Sequence, residues 1–142
     1  PILLFINMFL ASFMVRIAGA GLVAAAVGLL LFNALNVGLQ MVLPADLLNG
    51  SVFYLPTWIA LAGICAYTYQ RHRASARMLL AAIVTFTVSL SLRTLDRPLC
   101  AVTDLGTHFG WHLLNGAVLY AVTIALLAYG DGRRRTDRAQ GI

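Results

Sequence analysis

From Pro1 to Leu43 this chain carries a single charged residue, Arg16. As one α-helix that stretch would be about 65 Å long at 1.5 Å per residue, twice the hydrocarbon core of a bilayer at about 30 Å. It has to fold back on itself, and Arg16 with Gly19 and Gly21 marks the place. The rest of the chain keeps the same character, with 61% hydrophobic and 11% charged residues over 142 positions. A soluble domain carries about 25% charged residues. The pattern predicts an all-α, polytopic membrane helix bundle.

Turn signals divide the chain into five spans, at about 1–16, 20–42, 52–69, 77–93 and 107–129. Pro44, Asp46, Asn49 and Gly50 separate the second from the third, and the polar link 70–77 separates the third from the fourth. Pro98 and the neighbouring charges are expected to close the fourth span near Arg93, because proline removes a backbone donor and charge is costly deeper in the membrane. Gly130-Asp131-Gly132 should end the fifth, which gives a bundle over 1–130 and a solvated polar tail over 131–142. The chain opens at Pro1, without a Met and already inside an apolar run; with no charged n-region or cleavage site this reads as a fragment rather than a signal peptide.

Charge fixes an expected orientation. All ten basic residues are arginine, and the net charge is +5. Eight arginines fall in the Arg16 turn, the 70–77 link and the tail, which five spans place on one side. The other two connections hold Arg93 and Arg97 together with Asp46, Asp96 and Asp104. The positive-inside rule then makes the C-terminus cytoplasmic and turns Pro1 outward. The arginines mark topology; no aromatic-interleaved patch of the nucleic-acid type is present, and nucleic acid is not an expected partner.

The chemistry-bearing feature is the pair His108 and His112 at the head of the last span, in its outer half. Four residues apart on a helix, they share one face with Cβ atoms roughly 5–6 Å apart, where one metal ion can take both. Ionisable groups inside a membrane are costly and default to function. Trp111 and Asn115 share their sector, with Thr123 at its margin; Asp104 or Thr107 can cap the helix, and Gly106-x-x-x-Gly110 allows a close neighbour. From spacing alone the pair is either a zinc site or two interfacial histidines bonded to backbone or water. Zinc needs a third protein ligand, and His72, at the opposite membrane face, is too far to be one; it reads as an exposed histidine among arginines. Haem is disfavoured because its two axial ligands approach iron from opposite faces.

Other polar groups have structural readings. Arg93 and Asp96, three apart, are expected to form an ion pair closing the outer mouth of the bundle. Asn33, Asn36 and Gln40 form a polar face suited to interhelical hydrogen bonds. Cys65, near the inner end of its span, is a small core residue, and Cys100, in an outer loop, cannot reach it. Cys100 is either a free loop thiol or disulfide-bonded to a part of the protein outside this sequence.

Asp96 and Cys100, followed by His108-x-x-Trp111-His112, resemble in order and spacing the end of the alkaline ceramidase family; the match covers about residues 93–120. That resemblance implies a seven-helix zinc-dependent amide hydrolase, in a wider superfamily with adiponectin-receptor-like and hemolysin III-like proteins. The five spans would be the C-terminal five of seven. It implies Zn2+ as cofactor, His108 and His112 as ligands, and a third His, a Ser and an Asp upstream of Pro1. A membrane lipid amide, an N-acyl sphingoid or similar, is the implied substrate, with Phe109, Trp111 and Asn115 as candidate lining and Arg93, Asp96 and Cys100 as structural support. A lipid-sensing member without turnover, or a structural or transport protein without metal, are the competing readings.

Overall fold

The computed structural model describes residues 2–100 and 106–139, and of 131–139 the backbone course alone. It is all-helical, with no strand among the described residues. The helices are α1 (Ile2–Ser12), continued by a π-helical turn (Phe13–Ile17), α2 (Leu22–Val42), a 3-10 segment (Leu47–Tyr54), α3 (Leu55–Tyr69), α4 (Arg73–Cys100) and α5 (His108–Ala139). Among the described residues four stretches are long and apolar enough to cross a membrane: Leu22–Val42, Leu47–Tyr69, Arg73–Cys100 and His108–Gly130. Ile2–Ile17 is apolar but shorter. A polytopic membrane bundle is the architecture this describes.

The first turn lies where the charge pattern puts it. The π-helical turn ends at Ile17, and Gly19 takes a positive φ of 71°, a conformation that suits a residue without Cβ. The chain thereby reverses, and α2 packs back along α1. Asn7 and Asn33 join the two through a reciprocal amide pair at 2.6 and 3.3 Å. The polar face of α2 is thus only partly interhelical: Asn36 donates back to the Phe32 carbonyl of its own helix, and Gln40 is exposed.

Four boundaries of the last three helices differ from the sequence expectation. The third helix begins at Leu55 rather than 52, because Leu48, Asn49 and Gly50 all adopt positive φ and the chain must recover from that reversal. The 70–77 link shrinks to Gln70-Arg71-His72, since His72 caps α4. Its Nδ1 accepts the Ser75 backbone N–H at 3.2 Å and lies 2.8 Å from the Ser75 hydroxyl. A side-chain acceptor at this position satisfies an amide the helix leaves open. His72 is therefore a half-buried cap resting on the Tyr129 ring, not an exposed histidine.

The fourth helix runs past Arg93 to Cys100 with Pro98 inside it. Proline this close to the end removes one N–H and disturbs only the last turn. Side chains from outside the helix also bind its carbonyls: Asn49 donates to Arg93 O at 2.8 Å and Thr107 to Leu92 O at 2.8 Å. The fifth helix likewise continues beyond Gly130-Asp131-Gly132 to Ala139. Glycine in a helix costs only about 1 kcal/mol against alanine, and the arginines that follow are good helix formers at the end that favours cations.

The core lies between α4 and α5 and is roofed by α3 and the π-helical turn. Phe13, Ile17, Leu61, Ile64, Leu79, Phe86, Val118 and Val122 fill it. Small side chains, Ala76, Ala82, Ser89 and Ala125, are almost fully buried and let α4 and α5 approach closely. By contrast, Leu22, Val23, Leu30, Leu31, Met41 and Val42 of α2 face outward, as a lipid-facing helix requires. A double-mutant cycle on Asn7→Ala and Asn33→Ala, read from reversible unfolding in mixed micelles, should give a coupling of about 0.6–1.7 kcal/mol. Additive single effects would mean the amide pair does not hold α1 to α2.

Candidate metal-binding site

The site is built on the junction between α4 and α5. Because α4 extends to Cys100, Asp96 and Cys100 lie one above the other on its last turns. Asp96 Oδ1 accepts the Thr107 backbone N–H at 2.8 Å and lies 3.5 Å from the Thr107 hydroxyl and 3.7 Å from Cys100 Sγ. The Thr107 hydroxyl donates to Leu92 O instead of capping its own helix. Asp104, the other expected cap, lies outside the described residues.

Gly106 makes this approach possible. Its φ is +58°, and a Cβ there would lie 2.5 Å from Cys100 Sγ and 2.9 Å from Asp96 Oδ1. Gly110 one turn on is also tight, with Leu92 Cδ1 3.0 Å from where its Cβ would be. The expected Gly-x-x-x-Gly contact is thus made, with α4 as the partner.

The second carboxylate oxygen turns to the histidines. Asp96 Oδ2 is 3.4 Å from His108 Nδ1, so the His108 proton belongs on Nδ1 and the Nε2 lone pair is left free. His108 Nε2 and His112 Nε2 then converge to 3.1 Å. An N–H···N hydrogen bond has about this length; two nitrogens bound at about 2.0–2.1 Å to one tetrahedral ion lie only slightly further apart, at roughly 3.3 Å. Both rings are exposed, and among the described residues no group of three His, Cys, Asp or Glu side chains gathers around a common point. The residues present fit two-thirds of an imidazole-type metal site with its carboxylate support.

The expected Arg93–Asp96 ion pair does not form. Asp96 is committed to Thr107 and His108, and the Arg93 guanidinium instead lies over the Trp111 and Tyr54 rings at 4.7 and 5.4 Å. The reason is rotational: three residues apart, the two side chains leave α4 toward different neighbours, Asp96 to the α5 start and Arg93 to the aromatic pair. Cys100 is correspondingly a helical residue, a free thiol beside Asp96, rather than a loop cysteine. Cys65 is a half-buried free thiol whose Sγ lies 3.5 Å from Ala76 O.

The polar sector of α5 splits at the edge of the bundle. His108 and His112 stay outside; Trp111 and Asn115 turn inside, 7% and 6% exposed. Phe109 is also outside and does not join them. Ser89, fully buried on α4, lies 3.1 Å from both Trp111 O and Asn115 Oδ1. Nothing in the sequence pairs Ser89 with Asn115; that pairing needs the relative phase of two helices.

Comparison with known families, characterised proteins and solved structures finds no match for this chain. Gly106→Ala should destabilise the protein by about 1–3 kcal/mol, because it forces a strained backbone and a clash at once, and denaturation in micelles measures this. Wild-type stability in that variant would show that the helix junction is not as tight as described.

Proposed function

We propose that this chain carries part of a zinc-dependent lipid amide hydrolase of the alkaline ceramidase type. The observation that carries the reading is the convergence of His108 Nε2 and His112 Nε2 to 3.1 Å with Asp96 on the far nitrogen of His108. A carboxylate in that position fixes ring tautomer and raises ligand basicity, as metal-bound histidines ordinarily require. An ordinary interfacial histidine pair has no need of this buttress. The shared order Asp96, Cys100, His108, Trp111, His112 supports the same family.

In this reading a third protein ligand comes from outside the described residues. Five membrane passes, with Ile2–Ile17 as a short first one, turn the arginine-rich segments and the C-terminus to the cytoplasm and leave the His pair in the outer half of the last helix. Zinc there supplies Lewis-acid activation of water and of an amide carbonyl. The chain's own residues do the rest. Asp96 holds His108 in orientation, Trp111 packs against both imidazoles at ring distances of 5.2 and 4.2 Å, and α5 presents the pair at the edge of an apolar bundle. A substrate whose hydrocarbon chains already lie in the bilayer reaches such a position without leaving it, which favours an N-acyl sphingoid lipid or a similar amide.

Purified protein carrying His108→Ala or His112→Ala should lose bound zinc and fatty-acid release from N-acyl lipids together. Unchanged zinc content in both variants would remove the metal assignment. Asp96→Asn should weaken zinc binding about 10–100-fold while the histidines remain, measured by competition with a chelator; an unaltered affinity would make Asp96 a purely structural junction.

A further inference from the structure

The helices α3 and α4 are neighbours joined by Gln70-Arg71-His72, and their outward faces leave an open seam between them. Trp58, Ala62, Ala66 and Tyr69 line it from α3 at helical spacing, and Leu80 and Ile83 line it from α4. Alanines where larger side chains would close the seam leave a trough of about 630 Å³. Pockets that hold small ligands span roughly 300–1,000 Å³.

Trp58 divides the seam in two. Its Nε1 donates to Thr87 Oγ1 at 3.0 Å across the two helices, and its ring borders the trough on one side and a second hollow on the other. The second hollow runs toward Thr94 and Leu95, and its hydroxyls are already bonded within the protein. Thr94 Oγ1 lies 2.9 Å from both Ser51 Oγ and Leu90 O, and Ser91 donates to Thr87 O at 2.9 Å. Among the described residues no charged side chain lines that half.

The first half differs at its end. Arg77 and Gln70 line the trough where it meets the 70–72 link. Arg73, one helical turn before Arg77, lies 5.4 Å from the centre of the Tyr69 ring, which itself lines the trough. The carboxylates among the described side chains, Asp46 and Asp96, both belong to the opposite end of the bundle. From Trp58 to Gln70 the trough runs about 18 Å at 1.5 Å per residue. That is close to one leaflet, half of a hydrocarbon core of about 30 Å.

We infer that this trough binds an anionic glycerophospholipid from the leaflet on the side of the 70–72 link. Its phosphate meets Arg77 and Gln70, and one acyl chain lies along Ala62, Ala66, Leu80 and Ile83 as far as Trp58. A guanidinium holds phosphate oxygens with two parallel bonds, and the Gln70 amide adds a neutral donor. Basic pockets between membrane helices suit such head groups. Arg71 belongs elsewhere: its guanidinium lies 3.8 Å from the centre of the Tyr67 ring, which packs edge-on against Phe13 away from the trough. The site needs neither zinc nor turnover, so it stands apart from the amidase reading.

Chain-brominated lipids test this, because bromine quenches tryptophan at close range. The protein has two tryptophans, and Trp111 is buried at 7% exposure, so Trp58 is the reporter. Purified protein in nanodiscs should show at least about fivefold preference for brominated phosphatidylglycerol over brominated phosphatidylcholine, each competing with the other lipid unlabelled. Trp58→Phe should remove most of the quenching. Arg77→Gln should remove most of the preference yet stay quenched by brominated phosphatidylcholine, which shows the fold and the trough intact. Arg71→Gln, with the same loss of charge, should keep most of the preference. Equal quenching by the two lipids in the wild type would overturn the proposal. A preference reduced alike by Arg71→Gln and Arg77→Gln would overturn it in favour of surface charge alone. No quenching of Trp58 by either lipid would overturn it in favour of a protein helix seated in the seam.

Discussion

The Asp96 carboxylate is the contact on which the rest of the structure depends. One oxygen receives the first amide before α5, and the other faces the first imidazole on it. The end of α4 and the start of α5 are thereby fixed in both distance and rotation. Rotation matters more, because a helix turned by one residue moves each side chain through 100°. With Thr107 anchored to Asp96 and Leu92, the histidines fall outside the bundle edge and Trp111 and Asn115 fall inside. The exposed histidine face and the buried Ser89–Asn115 contact are two consequences of one junction.

Packing then follows from residue size. The closest helix pair, α4 with α5, meets through serine, alanine and glycine, as helices must where lipid is as apolar as leucine and burial alone gives no preference for protein over membrane. Ser75 and Ser89 are completely buried, and each finds its hydrogen bond at a helix junction, one under the His72 cap and the other beneath Trp111. The remaining helices are held by fewer directional contacts, of which Asn7 with Asn33 is the clearest. An amide pair of this kind is satisfied only when both helices are present, so it specifies which helix lies beside which.

Much of this was legible in the sequence. Charge-free runs longer than a bilayer is thick dictate where the chain must turn, and the Arg16-to-Gly21 reversal is where that argument puts it. The histidine pair, its shared helix face and the Gly106-to-Gly110 contact follow from helical periodicity. What escaped were features decided between helices. Arg93 and Asp96 are close in sequence and opposite in charge, yet the backbone amide of Thr107 and the ring of His108 compete for the carboxylate and win. Pro98 normally stops a helix, but it lies in the last turn, where it removes one donor, and the helix continues far enough to bring Cys100 under Gly106. The polar stripe on α5 was one sector by periodicity and became two surfaces because the bundle edge runs through it. The capping role of His72 had a local signal, a histidine three residues before a serine at a helix start, which the surrounding arginines obscured.

The central claim is that His108 and His112 are two ligands of one metal ion, oriented by Asp96. Zinc-edge X-ray absorption on protein purified from membranes addresses it without reference to any substrate. The account predicts stoichiometric zinc with nitrogen or oxygen neighbours at about 2.0–2.1 Å and the outer-shell scattering of at least two imidazole rings, reduced to fewer rings in His112→Ala. Protein free of stoichiometric zinc, or zinc whose surroundings contain no imidazole, would contradict it.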